Sequence, residues 1–113
     1  KVLGDMTDGV SELGTEHKGI IYNREWMEAL QLPNLIVYLQ MVASAALTRT
    51  ESRGAQYRLD HTKSDNDKWL KNIVVTRKNG KMDISTAPVV IKHIEPVEGV
   101  FDYGHIPEGR WIT

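Results

Sequence analysis

The sequence contains no cysteine, and this absence removes several kinds of site from its 113 residues. Disulfides, thiolate zinc centres, cysteine-ligated iron–sulfur clusters and cysteine nucleophiles are all excluded from this chain. An excess of charge of one sign is also lacking, because 14 basic side chains nearly balance 15 acidic ones. Charge therefore indicates neither a polyanionic partner nor an anionic membrane surface.

Long hydrophobic runs and catalytic motifs are scarce as well. The longest apolar stretch, residues 35–47, is interrupted by Gln40 and Ser44 and is too short to span a bilayer. The chain has no phosphate-binding glycine loop and no nucleophile elbow, and its 4 histidines are not spaced as metal ligands. We therefore predict no catalytic, cofactor-binding or metal-binding residue in it.

Helical spacing is present in the first half of the chain. Residues 1–19 hold several glycines and predict only a frayed or truncated helix. Asn23 is a good N-cap for a short helix, which Pro33 interrupts or restarts. From Asn34 the apolar residues predict a helix of about four turns that is apolar on more than one face. The predicted stop is Gly54. A helix this apolar must be covered, and the remaining chain offers little with which to cover it.

The second half has the composition of strands and loops. Residues 61–68 are polar and predict a loop. Three short strands are predicted, at residues 73–76, 82–85 and 89–91. Asn79-Gly80 between the first two is a strong signal for a two-residue hairpin turn, and Pro88 separates the third. The tail from Glu95 holds prolines, glycines and scattered aromatics, and we predict that it is irregular.

The densest polar cluster follows directly on the apolar helix. It comprises Arg49, Thr50, Glu51, Ser52, Arg53 and Gly54, with Arg58 and Asp60 just beyond. Arginines near a helix C-terminus are favoured by the helix dipole, and their planar forks suit bidentate pairing with a carboxylate. We interpret the cluster as intramolecular ion pairs at a helix cap. A small enzyme using Arg53, Arg58 and Asp60 on an acidic substrate is an alternative, but it lacks an identifiable nucleophile or tuned base.

The same residues carry a resemblance to a known family. Residues 46–60, centred on Glu51-Ser52-Arg53-Gly54, resemble a stretch of succinate dehydrogenase and fumarate reductase flavoprotein subunits. There an alanine-rich helix ends in Arg-x-Glu-Ser-Arg-Gly-Ala-His-x-Arg-x-Asp. Residues 29–35 and 88–91 are similar to two further segments of that family, Ala-Leu-Glu-Leu-x-Asn-Leu and Pro-Val-x-Ile. Gln56 and Asn72 depart from the family's histidines, and L-aspartate oxidases share a related Ser-Arg-Gly segment.

The resemblance implies an α+β segment of a larger flavoprotein. We expect a partial helical bundle with spectrin-repeat-like helices over residues 1–55, then a loop, a β-hairpin and an irregular C-terminal tail over residues 56–113. The implied cofactor is FAD in the full-length protein, with none in this segment. The implied partners are the FAD-binding and capping domains of the same polypeptide and an iron–sulfur subunit, with no nucleic acid and no direct membrane insertion. The implied location is cytoplasmic, or peripheral on the cytoplasmic face of the membrane through partner subunits.

The expected function is therefore that of a C-terminal accessory domain. Such a domain of a succinate dehydrogenase or fumarate reductase flavoprotein would support domain packing and iron–sulfur subunit docking without catalysing a reaction alone. The residues carried over as domain-packing residues are Glu51, Ser52, Arg53, Gly54, Arg58 and Asp60. Two alternatives stay open: the equivalent domain of an L-aspartate oxidase, and a stand-alone interaction module that docks through its apolar helix.

Overall fold

A computed structural model describes residues 2–105 and 110–111 of the chain. Two helices come first, α1 (Val2–Val10) and α2 (Arg24–Thr48). A short strand and a one-turn helix follow, β1 (Lys63–Asp65) and α3 (Asn66–Trp69). The later strands are β2 (Lys71–Lys78), β3 (Lys81–Pro88), β4 (Ile94–Glu95), β5 (Val100–Asp102) and β6 (Arg110–Trp111). Helices followed by antiparallel strand pairs confirm the predicted α+β class.

The chain forms two compact units, an N-terminal unit (Lys1–Ser44) and a C-terminal unit (Ala45–Thr113). Among residues 2–105, Ile36 of the N-terminal unit is the single fully buried hydrophobic side chain, at 2% exposure. The buried polar side chains of the same range are Glu51 and Ser52, both in the C-terminal unit. The predicted domain division at residue 55 and the spectrin-repeat-like bundle stay predictions.

Helix α2 is continuous through Pro33, so the predicted interruption is wrong. Proline removes one backbone donor and crowds the preceding turn, at a cost of about 3 kcal/mol, but the flanking residues still support the helix. The start of α2 is as predicted, because Asn23 Oδ1 accepts a hydrogen bond from the Trp26 backbone N–H at 3.0 Å. This bond satisfies one of the donors that a helix N-terminus leaves free.

The end of α2 lies at Thr48, six residues before the predicted stop at Gly54. Gly54 has a φ of +59° and lies in a tight turn between Arg53 and Gln56. The backbone N–H of Arg53 donates to Gln56 O at 2.9 Å, and the N–H of Gln56 donates to Arg53 O at 3.1 Å. Glycine is therefore used for its left-handed conformation in this turn, not at the helix end.

Helix α2 is long and apolar enough to cross a membrane by length and composition. The prediction that no stretch is long enough to span a bilayer is based on the apolar run at residues 35–47, whereas the helix has 25 residues. The core helix of a soluble protein passes the same test, so a single such helix is a weak indication. Much of its apolar surface is uncovered in this chain, since Leu30, Leu35 and Val37 are all more than half exposed.

The predicted hairpin is confirmed. Strands β2 and β3 pair antiparallel along their whole length, and Lys78 is opposite Lys81 next to the turn. Asn79 and Gly80 have φ values of 51° and 76°, as a two-residue turn with two left-handed positions requires. One face of the hairpin carries half-buried Ile73, Val75 and Ile84, and the opposite face carries Val74 and Ala87 among polar residues.

One strand assignment and two loop assignments are wrong. Residues 61–68 are not a loop throughout, because β1 pairs with β5 and Ser64 is opposite Phe101. Asp65 then caps α3, its Oδ1 accepting from the Lys68 backbone N–H at 3.0 Å. Residues 89–91 lie outside any strand, since β3 itself runs to Pro88. The tail is not irregular throughout, as β5 and the β4–β6 pair show.

Candidate functional site

A buried carboxylate is the main polar feature of the C-terminal unit. Glu51 is 0% exposed, and both of its oxygens accept hydrogen bonds. Oε1 accepts from Arg49 Nη1 and, at 2.7 Å, from Arg53 Nε. Oε2 accepts from Arg53 Nη2 at 2.9 Å and from the Asp65 backbone N–H at 2.7 Å. We call Arg49, Glu51 and Arg53, together with the Asp65 N–H, the Glu51 cluster.

The electrostatics of this cluster keep Glu51 ionised. Burial by itself raises the pKa of the carboxyl group. The hydrogen bonds from Arg53, from the Asp65 N–H and from Arg49 together outweigh burial, and the pKa of Glu51 is lowered below its ordinary value of 4.5. An ionised carboxylate, each of whose oxygens already accepts two hydrogen bonds, is badly placed to take a proton from a substrate. The arrangement suits a structural charge.

Arg49 connects the cluster to two other elements. Its Nη1 donates to the carbonyl oxygen of Trp69 at 2.9 Å, and its Nη2 donates to that of Lys71 at 2.7 Å. The guanidinium carbon also lies 5.3 Å from the centroid of the Trp69 ring, within the range of a cation–π contact. One side chain thus ties the segment after α2 to the end of α3 and the start of β2.

Ser52 performs a similar role through its hydroxyl and its backbone. The side chain is 0% exposed; Oγ donates to His61 O at 2.6 Å and accepts from the Arg58 backbone N–H at 2.8 Å. The Ser52 N–H donates to Lys63 O at 2.9 Å, and the Ser64 hydroxyl donates to Ser52 O at 2.5 Å. These bonds fix the course of residues 58–64.

Arg58 and Asp60 form a second ion pair, separate from the Glu51 cluster. Arg58 Nε donates to Asp60 Oδ1 at 2.9 Å, and this hydrogen bond is the first cause that lowers the pKa of Asp60 to about 2. The same bond raises the pKa of Arg58. Asp60 itself is exposed to solvent. The exposed carboxylate orients the guanidinium of Arg58, whose side chain is only 17% exposed.

The Nη1 nitrogen of Arg58 caps the end of α2. Nη1 donates to the carbonyl oxygens of Ala46, Leu47 and Arg49, at 3.2, 2.9 and 2.8 Å. Gln56 Nε2 also donates to Ala46 O, at 2.9 Å. Carbonyls at a helix C-terminus have no partner within the helix, so these side chains replace the missing bonds. The geometry agrees with the interpretation of ion pairs at a helix cap.

The six predicted site residues therefore fall into two groups. Glu51 and Arg53 pair with each other, Ser52 and Gly54 shape the backbone beside them, and Arg58 pairs with Asp60. Their role in packing domains together is a proposal considered below. Among the described residues, no group of three or more histidine, aspartate or glutamate side chains is placed to hold a metal ion.

Three contributors to these groups were not predicted from the sequence. Arg49 belonged to the polar cluster, but nothing in the sequence distinguished it from its neighbours as a partner of Glu51. Asn66 Oδ1 accepts from Arg53 Nη2 at 2.7 Å, although the two residues are 13 positions apart. Gln56 was noted only as a departure from the family's histidine. Contacts between distant segments leave no local signal in a single sequence.

Comparison with known proteins adds a family and several relatives. Residues 1–101 match the family described as Fumarate reductase flavoprotein C-term. The fumarate reductase flavoprotein subunit of Haemophilus influenzae is 30% identical over 102 residues, which cover 83% of this chain and 17% of that subunit. The mitochondrial succinate dehydrogenase [ubiquinone] flavoprotein subunit of Oryza sativa subsp. japonica is 28% identical over 89 residues, 79% of this chain and 14% of that subunit.

A third relative belongs to the fumarate reductase (CoM/CoB) of Methanothermobacter marburgensis. This enzyme has a subunit that is 37% identical over 76 residues, which cover 67% of this chain and 14% of the relative. The chain thus spans 14% to 17% of the length of these three relatives. No solved structure matches the chain.

Proposed function

The chain belongs to the fumarate reductase flavoprotein C-terminal family, and from this premise we propose that it is the carboxy-terminal accessory domain of a flavin-linked succinate dehydrogenase or fumarate reductase flavoprotein. Relatives from both kinds of enzyme share this segment. In this proposal FAD and the dicarboxylate are bound by other domains of the same polypeptide. This chain supports the packing of those domains and the docking of an iron–sulfur subunit, and it catalyses nothing alone.

The observation that carries the non-catalytic part of the proposal is the internal pairing of Glu51. The carboxylate is fully buried and accepts hydrogen bonds from two arginines and one backbone N–H. A catalytic carboxylate needs access to its substrate and a lone pair to receive a proton. Glu51 has neither, so its charge is best explained as the anchor of a fixed local structure.

The second support is the way the polar residues hold the end of α2. Arg58 and Gln56 bond the carbonyl oxygens of its last turn, and Arg49 bonds those of Trp69 and Lys71. These contacts set the end of the helix and the start of the hairpin in one arrangement. A rigid arrangement of this kind is what a domain needs when it presents a surface to its neighbours.

The third support is the exposed apolar surface of α2. Leu35 is 51% exposed, Val42 is 48% exposed and Leu30 is 56% exposed. Exposed apolar surface on this scale is typical of a helix that packs against another domain or subunit. The same exposure favours the alternative of a stand-alone interaction module that docks through α2. The proposed location, peripheral to the membrane through partner subunits, follows from the family and not from α2.

The flavin content of the purified 113-residue chain tests the division of labour. We expect a colourless preparation that does not quench the fluorescence of added FAD and shows no succinate oxidation with an artificial electron acceptor. A yellow preparation with bound flavin would contradict the assignment of FAD to other domains.

The coding DNA upstream of Lys1 separates the accessory domain from the stand-alone module. We expect an open reading frame that encodes a strand, a Gly-x-Gly-x-x-Gly turn and a helix in a dinucleotide-binding domain. A start codon directly before Lys1 would instead favour the interaction module.

A further inference from the structure

An open cleft of about 410 Å³ lies in the C-terminal unit, beside the Glu51 cluster. Its apolar wall includes Leu70, Val97 and Phe101, and Arg53 and Asn66 lie at its polar side. Ligand pockets in proteins have volumes of about 300–1,000 Å³ and combine apolar walls with a few polar groups. The cleft is therefore large enough for a small organic molecule.

The polar side of the cleft offers one arginine nitrogen without a protein partner. Arg53 Nε and Nη2 bond Glu51, and Nη2 also bonds Asn66 Oδ1. Its Nη1 donates to no residue that the structure describes, and the side chain is 35% exposed. Asn66 uses its amide nitrogen on the carbonyl oxygen of Val97, at 2.6 Å. The Tyr103 hydroxyl donates to Gly54 O at 2.7 Å and the Ser64 hydroxyl to Ser52 O, so Arg53 Nη1 is the guanidinium donor left for a ligand. The His105 ring also lines the cleft.

The charge near this nitrogen is positive. Arg49 and Arg53 share the single carboxylate of Glu51, which leaves the cluster with a formal charge of about +1. None of the described residues that line the cleft is acidic. A guanidinium N–H in such a place prefers an anionic oxygen over a neutral one.

We propose that the cleft binds a carboxylate carried on an apolar body. One carboxylate oxygen accepts from Arg53 Nη1, and the apolar body packs against Leu70, Val97 and Phe101. The group comes either from a free aryl or alkyl carboxylic acid or from an acidic side chain next to an apolar residue in another polypeptide segment. This binding site is separate from the proposed accessory role and does not depend on it.

Nuclear magnetic resonance titration of the 15N-labelled 113-residue chain tests the proposal with three probes. The probes are phenylacetate, its neutral isostere phenylacetamide, and an acetylated Phe-Glu dipeptide amide whose only carboxylate is the glutamate side chain. We expect phenylacetate or the dipeptide to shift the backbone signals of Val97 and Phe101 and the Arg53 side-chain signal saturably. Phenylacetamide should bind at least about tenfold more weakly than phenylacetate, because it cannot form a charge-assisted hydrogen bond.

The outcome with each probe has a defined meaning. Tighter binding of the dipeptide identifies a polypeptide as the source of the carboxylate, and tighter binding of phenylacetate identifies a free acid. Equal binding of phenylacetate and phenylacetamide would overturn the role of Arg53. Absence of saturable shifts with both carboxylates would overturn the site itself.

A pair of variants tests the location without disturbing Glu51. Val97→Phe fills the apolar side of the cleft and keeps the carbonyl oxygen that Asn66 uses. Val90→Phe adds the same ring at a valine that is 78% exposed and does not line the cleft. We expect Val97→Phe to weaken binding about tenfold or more and Val90→Phe to leave it unchanged. Undiminished binding by Val97→Phe would place the ligand elsewhere and overturn the proposal.

Discussion

The two units of the chain differ in what fixes their structure. The N-terminal unit is rich in apolar residues at helical spacing, yet Ile36 is the one fully buried hydrophobic side chain among residues 2–105. The C-terminal unit has no fully buried hydrophobic side chain within that range, and its buried side chains are Glu51 and Ser52. Directional bonds therefore specify the second unit around Glu51 and Ser52. Apolar side chains are exposed in both units, on α2 in the first and at Leu59 and Val90, for example, in the second.

The exposed apolar residues of α2 agree with the proposed packing against another domain or subunit. Burying a leucine side chain contributes about 1.5–3 kcal/mol, so the exposed apolar residues of α2 represent stabilisation that this chain does not obtain by itself. The buried atoms of the Glu51 cluster, in contrast, have partners within the chain, because no buried side-chain nitrogen or oxygen in the described residues lacks a hydrogen bond. A neighbouring domain or subunit would cover α2 and leave the cluster unchanged.

The largest effect is expected where the buried charge is removed. Glu51→Gln keeps the shape of the side chain but leaves Arg49 and Arg53 without their anion. Breaking a buried ion pair in this way costs about 3–5 kcal/mol. Urea unfolding, followed through the amide signals of the β2–β3 hairpin, measures the loss.

The matched control lies in the N-terminal unit. Glu28 pairs with Arg24 at 2.7 Å on the helix surface, where both side chains are mostly exposed. Glu28→Gln should lower the free energy of unfolding by about 0.5 kcal/mol or less, because solvent screens such a pair. Equal losses in the two variants would contradict the contrast between the units.

Acid should remove the same stabilisation gradually. The pKa of Glu51 is lowered in the folded chain from 4.5, so the folded form binds fewer protons than the unfolded form. The stabilisation that ionised Glu51 contributes is complete above pH 4.5 and is lost as the pH falls through the lower pKa of the folded chain. The pKa of Asp60 is likewise lowered, from 3.8 to about 2, so its contribution to stability is also lost as the pH falls through this range. We expect the free energy of unfolding to fall with pH below 4.5.

The Glu51→Gln variant identifies the source of this acid sensitivity. It should lose less stability than the original chain over the same pH range, since only Asp60 of the two groups still titrates. Identical pH profiles for the two chains would show that Glu51 does not carry the effect.

The smallest effects are expected at two glycines, and they should have opposite signs. Gly80 has a φ of +76° in the hairpin turn, so Gly80→Ala should destabilise the C-terminal unit by about 1–2 kcal/mol. Gly4 lies inside α1 with no atom within 4 Å of an added Cβ, so Gly4→Ala should stabilise that helix by up to about 1 kcal/mol. Hairpin amide signals and far-ultraviolet circular dichroism report the two changes. The same sign in both variants would contradict the prediction.

The features that the sequence predicted well depend on short segments. Asn79-Gly80 adopts two left-handed positions that few other residue pairs tolerate, and Asn23 reaches a donor only three residues ahead. The run from Arg49 to Gly54 is recognisable as a polar cluster at a helix end for similar local reasons. In each case the physical cause lies within a few residues of its signal.

The features that it did not predict depend on distant partners. Strand β1 exists because residues 100–102 pair with it, and residues 89–91 have high β-propensity but no partner strand. The geometry of the Glu51 cluster likewise requires the backbone of Asp65 and, through Arg53, the side chain of Asn66. Proline's local penalty predicts that Pro33 interrupts or restarts the helix, but the flanking turns keep α2 continuous.

Amide hydrogen exchange of the 113-residue chain, measured residue by residue, tests the contrast most directly. The N–H groups of Ser52 and Asp65 donate to Lys63 O and to Glu51, and we expect them to exchange among the slowest. Amides in the middle of α2 should exchange much faster, because that helix lacks cover in this chain. Protection in α2 equal to or greater than that at Ser52 and Asp65 would contradict the view that polar bonds fix the C-terminal unit more firmly than apolar packing fixes α2.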